Sequence, residues 1–173
     1  MSTGWLFLFI ILFPIAFILH DGEEIITQEK WMSKHKESLL IRFPRLKPMI
    51  EQLAGLSTKA FAIAALEELL IILLATLDLL LNVAYSFPIW SALFIAFSFH
   101  LLIHIGQAII VRGYIPGIIT TILCIPYAFY GVLIIGTFYN GWELVAITIL
   151  GIVAMLLNLK FAHWLGKRIA GTK

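Results

Sequence analysis

Apolar residues along this chain collect into five long runs, separated by short polar breaks and one long one. The runs cover about 4–27, 57–82, 88–112, 116–138 and 142–166. Each supplies the roughly 20 mostly apolar residues needed to cross a hydrocarbon layer. The pattern predicts an all-α polytopic membrane protein with five transmembrane helices in a bundle. The connections after the second, third and fourth runs are only a few residues long, so those neighbours are expected to be antiparallel and adjacent. Pro14 and Pro126 fall inside runs, where proline is a common cause of kinks. The long break, 31–56, mixes Lys34, Lys36, Arg42, Arg45 and Lys47 with Leu39, Leu40, Phe43, Leu46 and Ile50. It reads as a basic interfacial loop lying against anionic lipid. With no internal repeat and no low-complexity segment, residues 1–173 are read as a single transmembrane domain.

Composition agrees with this reading. Hydrophobic residues make up 61% of the chain and charged residues 13%, about half the charged share of a soluble domain. The single cysteine, Cys124, excludes an internal disulfide. The first run is expected to stay in the protein rather than serve as a cleaved leader. No basic segment precedes it, and His-Asp-Gly-Glu-Glu follows it instead of small residues.

Charge placement adds an orientation. Seven of the twelve lysines and arginines lie between Lys30 and Lys59, Arg112 lies at the third connection, and Lys160, Lys167, Arg168 and Lys173 lie near the C-terminal end. The N-terminus and the second and fourth connections carry none. Five crossings put all three basic regions on one side, which the positive-inside rule assigns to the cytoplasm. The N-terminus is then outside and the C-terminus cytoplasmic. Nothing in the composition suggests a nucleic-acid partner.

Ionisable residues within membrane spans are costly and are functional candidates by default. Three groups occur here. His20, Glu23 and Glu24 share a narrow face of the first span with Thr27. Glu67 and Glu68 sit in the second span amid alanines and leucines. His100 and His104 stack one turn apart on the third, a face that Gln107 continues. A rise of about 1.5 Å per residue puts His20 and His104 roughly 24 Å in from the outer end, and Glu67 roughly 15 Å from the cytoplasmic end. All three groups can therefore meet in the middle-to-inner membrane.

Four ionised carboxylates together would repel strongly in a low dielectric. They must take up protons or bind cations, and three histidines at the same level favour cations. His20, Glu23, Glu24, Glu67, Glu68, His100 and His104 are thus candidate ligands for one or two divalent ions, iron or zinc, with manganese also suited. Ferritin-like proteins hold two ions with a similar carboxylate and histidine count, though with Glu-x-x-His in the reverse order. Glu23 and Glu68 are the candidate catalytic carboxylates. Gln107, Arg112, Tyr114 and Asn158 are candidates for supporting or substrate contacts. Lys160 and His163 are expected at the interface, and His35 in solvent.

His20-x-x-Glu23-Glu24, the histidines at His100 and His104, and Tyr114-x-Pro116-Gly117 together resemble the bacterial membrane family named HXXEE after its motif. That family is defined by an HXXEE motif, a further histidine and a YXPG motif. Either His100 or His104 matches the further histidine. The resemblance covers most of the chain and implies a bacterial cytoplasmic (inner) membrane location, multi-pass; it implies no reaction.

These readings lead to an intramembrane metal-dependent enzyme acting on a membrane lipid or lipophilic small molecule. A carboxylate-rich, dinuclear set leans towards oxidation over hydrolysis. The alternatives are a proton- or ion-coupled transporter, which as a homodimer would recover the repeat symmetry that transporters commonly have, and a metal-free acid–base lipid isomerase.

Overall fold

The computed structural model describes residues 3–171. Its elements are α1 (Thr3–Arg42), a 3₁₀ turn (Pro44–Leu46), α2 (Lys47–Ala54), α3 (Thr58–Leu80), α4 (Ser86–Val111), α5 (Ile118–Gly136) and α6 (Gly141–Ala170). Among the described residues there is no strand. Helices α1, α3, α4, α5 and α6 are each long and apolar enough to cross a membrane, so the chain is a multi-pass membrane protein. Only helices and closed barrels satisfy every backbone polar group without water, which is why apolar runs of this length fold as helices.

The expected loop at 31–56 is largely helical. Residues 31–42 continue α1, which reaches 40 residues, about 60 Å at 1.5 Å per residue and twice the hydrocarbon thickness. No proline interrupts the sequence between Pro14 and Pro44. Pro44 then ends the helix, because the residue before a proline is driven out of the helical region; Phe43 adopts φ −129°, ψ 63°. The extension of α1 is tied down at its end. The Arg42 guanidinium donates to the carbonyls of Ile110 (2.7 Å) and Val111 (2.9 Å), two of the carbonyls that the C-terminus of α4 leaves without intrahelical partners. Pro14 and Pro126 both lie inside continuous helices. Two further starts have local causes: the Ser57 side chain caps α3, and Asn140 with Glu143 forms a capping box on α6.

Helix α1 lies between α3 and α5, α4 lies between the same two, and α6 packs outside against α3 and α4. The inward faces of α1 and α4 therefore look at each other across the centre. Both begin aromatic. Phe9, Phe13 and Phe17 of α1 meet Trp90, Phe94 and Phe97 of α4, with ring centroids 5.3 to 6.2 Å apart among the paired rings. Each such pair contributes about 0.5–1.5 kcal/mol. Further along, the same faces turn polar, to His20, Glu24 and Gln28 on α1 and His104 on α4, all buried. Rings thus close one end of the bundle, and buried ionisable groups gather in the interior beyond them. Helix α6 approaches its neighbours through glycines. A Cβ at Gly151 would collide with the carbonyl oxygen of Ala92, and one at Gly166 with that of Ala60. Small residues allow this closeness in a membrane, where packing has to replace the hydrophobic drive between helices.

Candidate metal centre

One turn of α1 carries His20 and Glu24, and one turn of α4 carries His100 and His104. The i, i+4 spacing puts each pair on a single helical face, and the two faces oppose each other. All three imidazoles turn Nε2 to the Glu24 carboxylate, at 4.0 Å from His20, 3.7 Å from His100 and 3.5 Å from His104. The Nε2 atoms of His100 and His104 are themselves 3.0 Å apart. One ligand atom from each of the four residues falls within 4.8 Å of all the others. A first-row ion with arms of about 2.0–2.2 Å sets neighbouring ligand atoms roughly 3–3.5 Å apart. The His100–His104 and His104–Glu24 spacings match that, while the quartet as a whole, up to 4.8 Å across, is looser than a closed coordination shell. The imidazole of His20 is fully buried at 0% exposure, and its Nε2 has no hydrogen-bond partner. A buried ring nitrogen without a partner is costly, and an ion among the four residues would satisfy it. Three nitrogens and one carboxylate suit zinc or iron.

A second layer orients the first. His20 Nδ1 lies 3.3 Å from the Thr120 hydroxyl oxygen, and that hydroxyl donates to Glu23 Oε2 at 2.7 Å. Since the Thr120 proton goes to Glu23, its oxygen accepts from Nδ1–H of His20. The proton on Nδ1 leaves the Nε2 lone pair free to face the quartet, the arrangement by which outer carboxylates fix metal-binding histidines. Glu23 also accepts from the backbone N–H of Thr120 (2.7 Å) and Ile119 (3.4 Å) and from the Tyr114 hydroxyl (2.9 Å). It caps the N-terminus of α5, where Gly117 brings no side chain of its own. Partial burial and the neighbouring Glu23 raise the Tyr114 pKa, keeping that phenol a donor. Trp31 of the α1 extension holds the same loop by donating Nε1–H to the Tyr114 carbonyl, at 2.9 Å.

Gly117 has φ +81°, and a Cβ there would stand 3.0 Å from Glu24 Cγ, 3.0 Å from His20 Cε1 and 3.1 Å from His104 Cε1. The turn between α4 and α5 therefore presses bare backbone against three members of the quartet. Glycine meets both requirements, the positive φ and the missing side chain.

The family model described as "Protein of unknown function with HXXEE motif" matches residues 11–131. This chain belongs to the HXXEE family. No curated protein and no solved structure matches it. In this HXXEE protein the motif divides its labour: His20 and Glu24 face the quartet, while Glu23 joins α1 to the Tyr114-x-Pro116-Gly117 turn. The two motifs are thus one structural unit, in contact from opposite ends of a sequence separation of about ninety residues. Both His100 and His104 belong to the quartet.

The remaining candidates lie apart from it. Glu67 accepts from Asn158 Nδ2 at 3.0 Å, pairing α3 with α6. Glu68 lines a cavity of about 460 Å³ that also borders Glu24 and His100. Gln107 lines a second cavity, of about 480 Å³. Arg112 is exposed and ends α4 in the left-handed region, at φ 61°. Among the described residues, the seven-residue set expected from sequence resolves into four that converge and three, Glu23, Glu67 and Glu68, that stand around them. His163, expected at the interface, is buried instead, with its ring 6.1 Å from that of Phe61, and it borders both cavities. His35 stacks on Trp31 with centroids 4.5 Å apart. Asp21 was missed. It is buried beside the quartet and lines the first cavity together with Glu68. Its place inside the His-Asp-Gly-Glu-Glu run was the available signal.

Proposed function

We propose that this protein is an intramembrane metalloenzyme with one ion held by His20, Glu24, His100 and His104, acting on a lipophilic substrate. The convergence of three imidazole Nε2 atoms on one buried carboxylate carries the reading. The quartet supports one ion rather than two. Iron held there would supply oxidative chemistry, and zinc in the same place an activated water for hydrolysis. Three nitrogens and a single carboxylate do not favour oxidation over hydrolysis as a dinuclear carboxylate set would. Glu68 and Asp21, on the wall of the adjoining cavity, are the carboxylates available to move a proton to or from a bound substrate. Glu23 is a positioning residue, acting through Thr120 and His20. We place the protein in the bacterial cytoplasmic membrane with the basic helix ends inward, where the positive-inside rule puts them.

Elemental analysis of the full chain, purified in detergent without chelator, tests this. One equivalent of metal in the wild type is expected. It should be lost in His104→Ala and Glu24→Gln and kept in Glu67→Gln, whose side chain faces Asn158. Iron supports oxidation and zinc supports hydrolysis. Metal-free wild-type protein overturns the reading in favour of acid–base isomerisation. A cavity on each side of the quartet also suits an ion carrier. Metal that leaves within minutes of chelator dialysis would favour that second reading, since a carrier must release its cargo.

A further inference from the structure

Two cavities meet at the quartet, of about 460 and 480 Å³. Both fall in the range of pockets that enclose small organic ligands. Six residues line both: Glu24, Phe61, His100, Met155, Leu159 and His163. The last three follow one another at i, i+4 and i+8 along α6, so a single face of α6 roofs the junction while Glu24 and His100 floor it. The glycine contacts at Gly151 and Gly166 hold α6 down on either side of that stretch. Exposed apolar side chains border both cavities. Leu157 (63% exposed) and Phe161 (49%) border the first, and Leu156 (48%) and Ile110 (56%) border the second.

The two ends differ in charge. The first cavity is apolar except near the junction, where its ionisable groups are the carboxylates Asp21, Glu24 and Glu68 with His100 and His163, and it contains no lysine or arginine. The second shares Glu24, His100 and His163 with it at the junction and adds His104, but away from the junction it contains Lys160, its one lysine or arginine, and the amides of Gln28, Gln52 and Gln107. An anionic head group meets three carboxylates and no lysine or arginine in the first cavity but one carboxylate and a lysine in the second, so it is favoured at the Lys160 end, whereas an alkyl chain suits the first.

We propose that the occupant is a single-chain amphiphile with an anionic head, a long-chain carboxylate. Its head pairs with Lys160, its tail fills the cavity between α3 and α6, and an intermediate carbon lies at the junction beside Glu24 and His100. The proposal rests on the metalloenzyme reading for what happens at that carbon, but the binding geometry is separate from it. Membrane lipid chains reach the site laterally beneath α6 without entering water.

Competition against a diazirine-bearing palmitate, photolysed with the detergent-solubilised full chain, tests the assignment. Labelled peptides are expected from α3 and α6. Palmitate should compete about tenfold or more better than hexadecanol, the worth of one charge-assisted contact. Lys160→Gln should abolish that preference with metal content unchanged. Ala154→Phe, which narrows the first cavity from the exposed side of α6, should weaken both competitors, in protein shown to be folded by its melting profile. Equal competition by the two lipids, or an unchanged preference in Lys160→Gln, overturns the proposal. Stoichiometric metal without the preference removes this proposal alone. The preference in protein that holds no metal removes the metal centre alone.

Discussion

Replacing Gly117 with alanine removes no ligand, no charge and no hydrogen bond, yet it should weaken metal binding. The added Cβ would lie 3.0 Å from Glu24 Cγ, 3.0 Å from His20 Cε1 and 3.1 Å from His104 Cε1. Ordinary carbon contacts sit at about 3.5–4.0 Å, so each neighbour has to yield about 0.4 Å or more. Coordination distances tolerate about 0.2 Å. Three of the four quartet members are pushed beyond that limit together. His20, fully buried and bordering neither cavity, has no space to retreat into, and Glu24 and His104 can yield only by moving into the cavities. The backbone adds a second cost, since alanine at φ +81° is strained by about 1–2 kcal/mol. Metal affinity should fall about 10–100-fold, comparable to loss of an outer-layer contact, and the apo protein should lose about 1–2 kcal/mol of stability. The assay is chelator competition with elemental analysis, alongside thermal melting in detergent. Gly106→Ala is the control, because a Cβ there meets nothing within 4 Å and the residue has no positive φ; its effect should stay within about 0.5 kcal/mol. If Gly117→Ala bound metal as tightly as Gly106→Ala, the quartet would not be the binding site.

Four further outcomes are expected. Glu23→Gln sets an amide NH₂ against donors that now point at a carboxylate oxygen; it should cost about 1–3 kcal/mol and lower metal affinity about 10–100-fold, measured by melting and chelator competition. Tyr114→Phe deletes one partly exposed hydrogen bond, so a loss of about 0.5–1.5 kcal/mol with metal content unchanged should appear in the same assays. Ser57→Ala removes the α3 cap and should lower stability by about 0.5–2 kcal/mol without touching metal content. Gly151→Leu drives α6 from α4 at Ala92, and overpacking of this kind should cost about 1–3 kcal/mol in a detergent melt.

Much of the fold was legible because each apolar run has only one way to satisfy its backbone in lipid. The end of α1 was not, because hydropathy falls near residue 27 while helical backbone continues to Arg42, just before Pro44. Hydropathy marks where lipid ends, and proline marks where the helix ends; here the two are separated by about four turns. The candidate site was half legible. His20 with Glu24 and His100 with His104 follow from i, i+4 spacing alone. The division between Glu23 and Glu24 does not. They are neighbours about 100° apart on α1, and which one meets the histidines depends on α1 lying opposite α4 and beside α5. The rotation of α3 was equally hidden, since a helix apolar nearly all round carries no stripe to show which side faces inward. Glu67 turns to Asn158 while Glu68 faces the cavity.

By itself, then, the sequence determined five membrane helices and a surplus of histidines and carboxylates at one depth, because lipid penalises both open backbone and unpaired charge. Only the tertiary structure decided which of those groups converge. Helix rotation and a glycine turn 97 residues from His20 brought Gly117 backbone against His20, Glu24 and His104, and no local pattern encodes either.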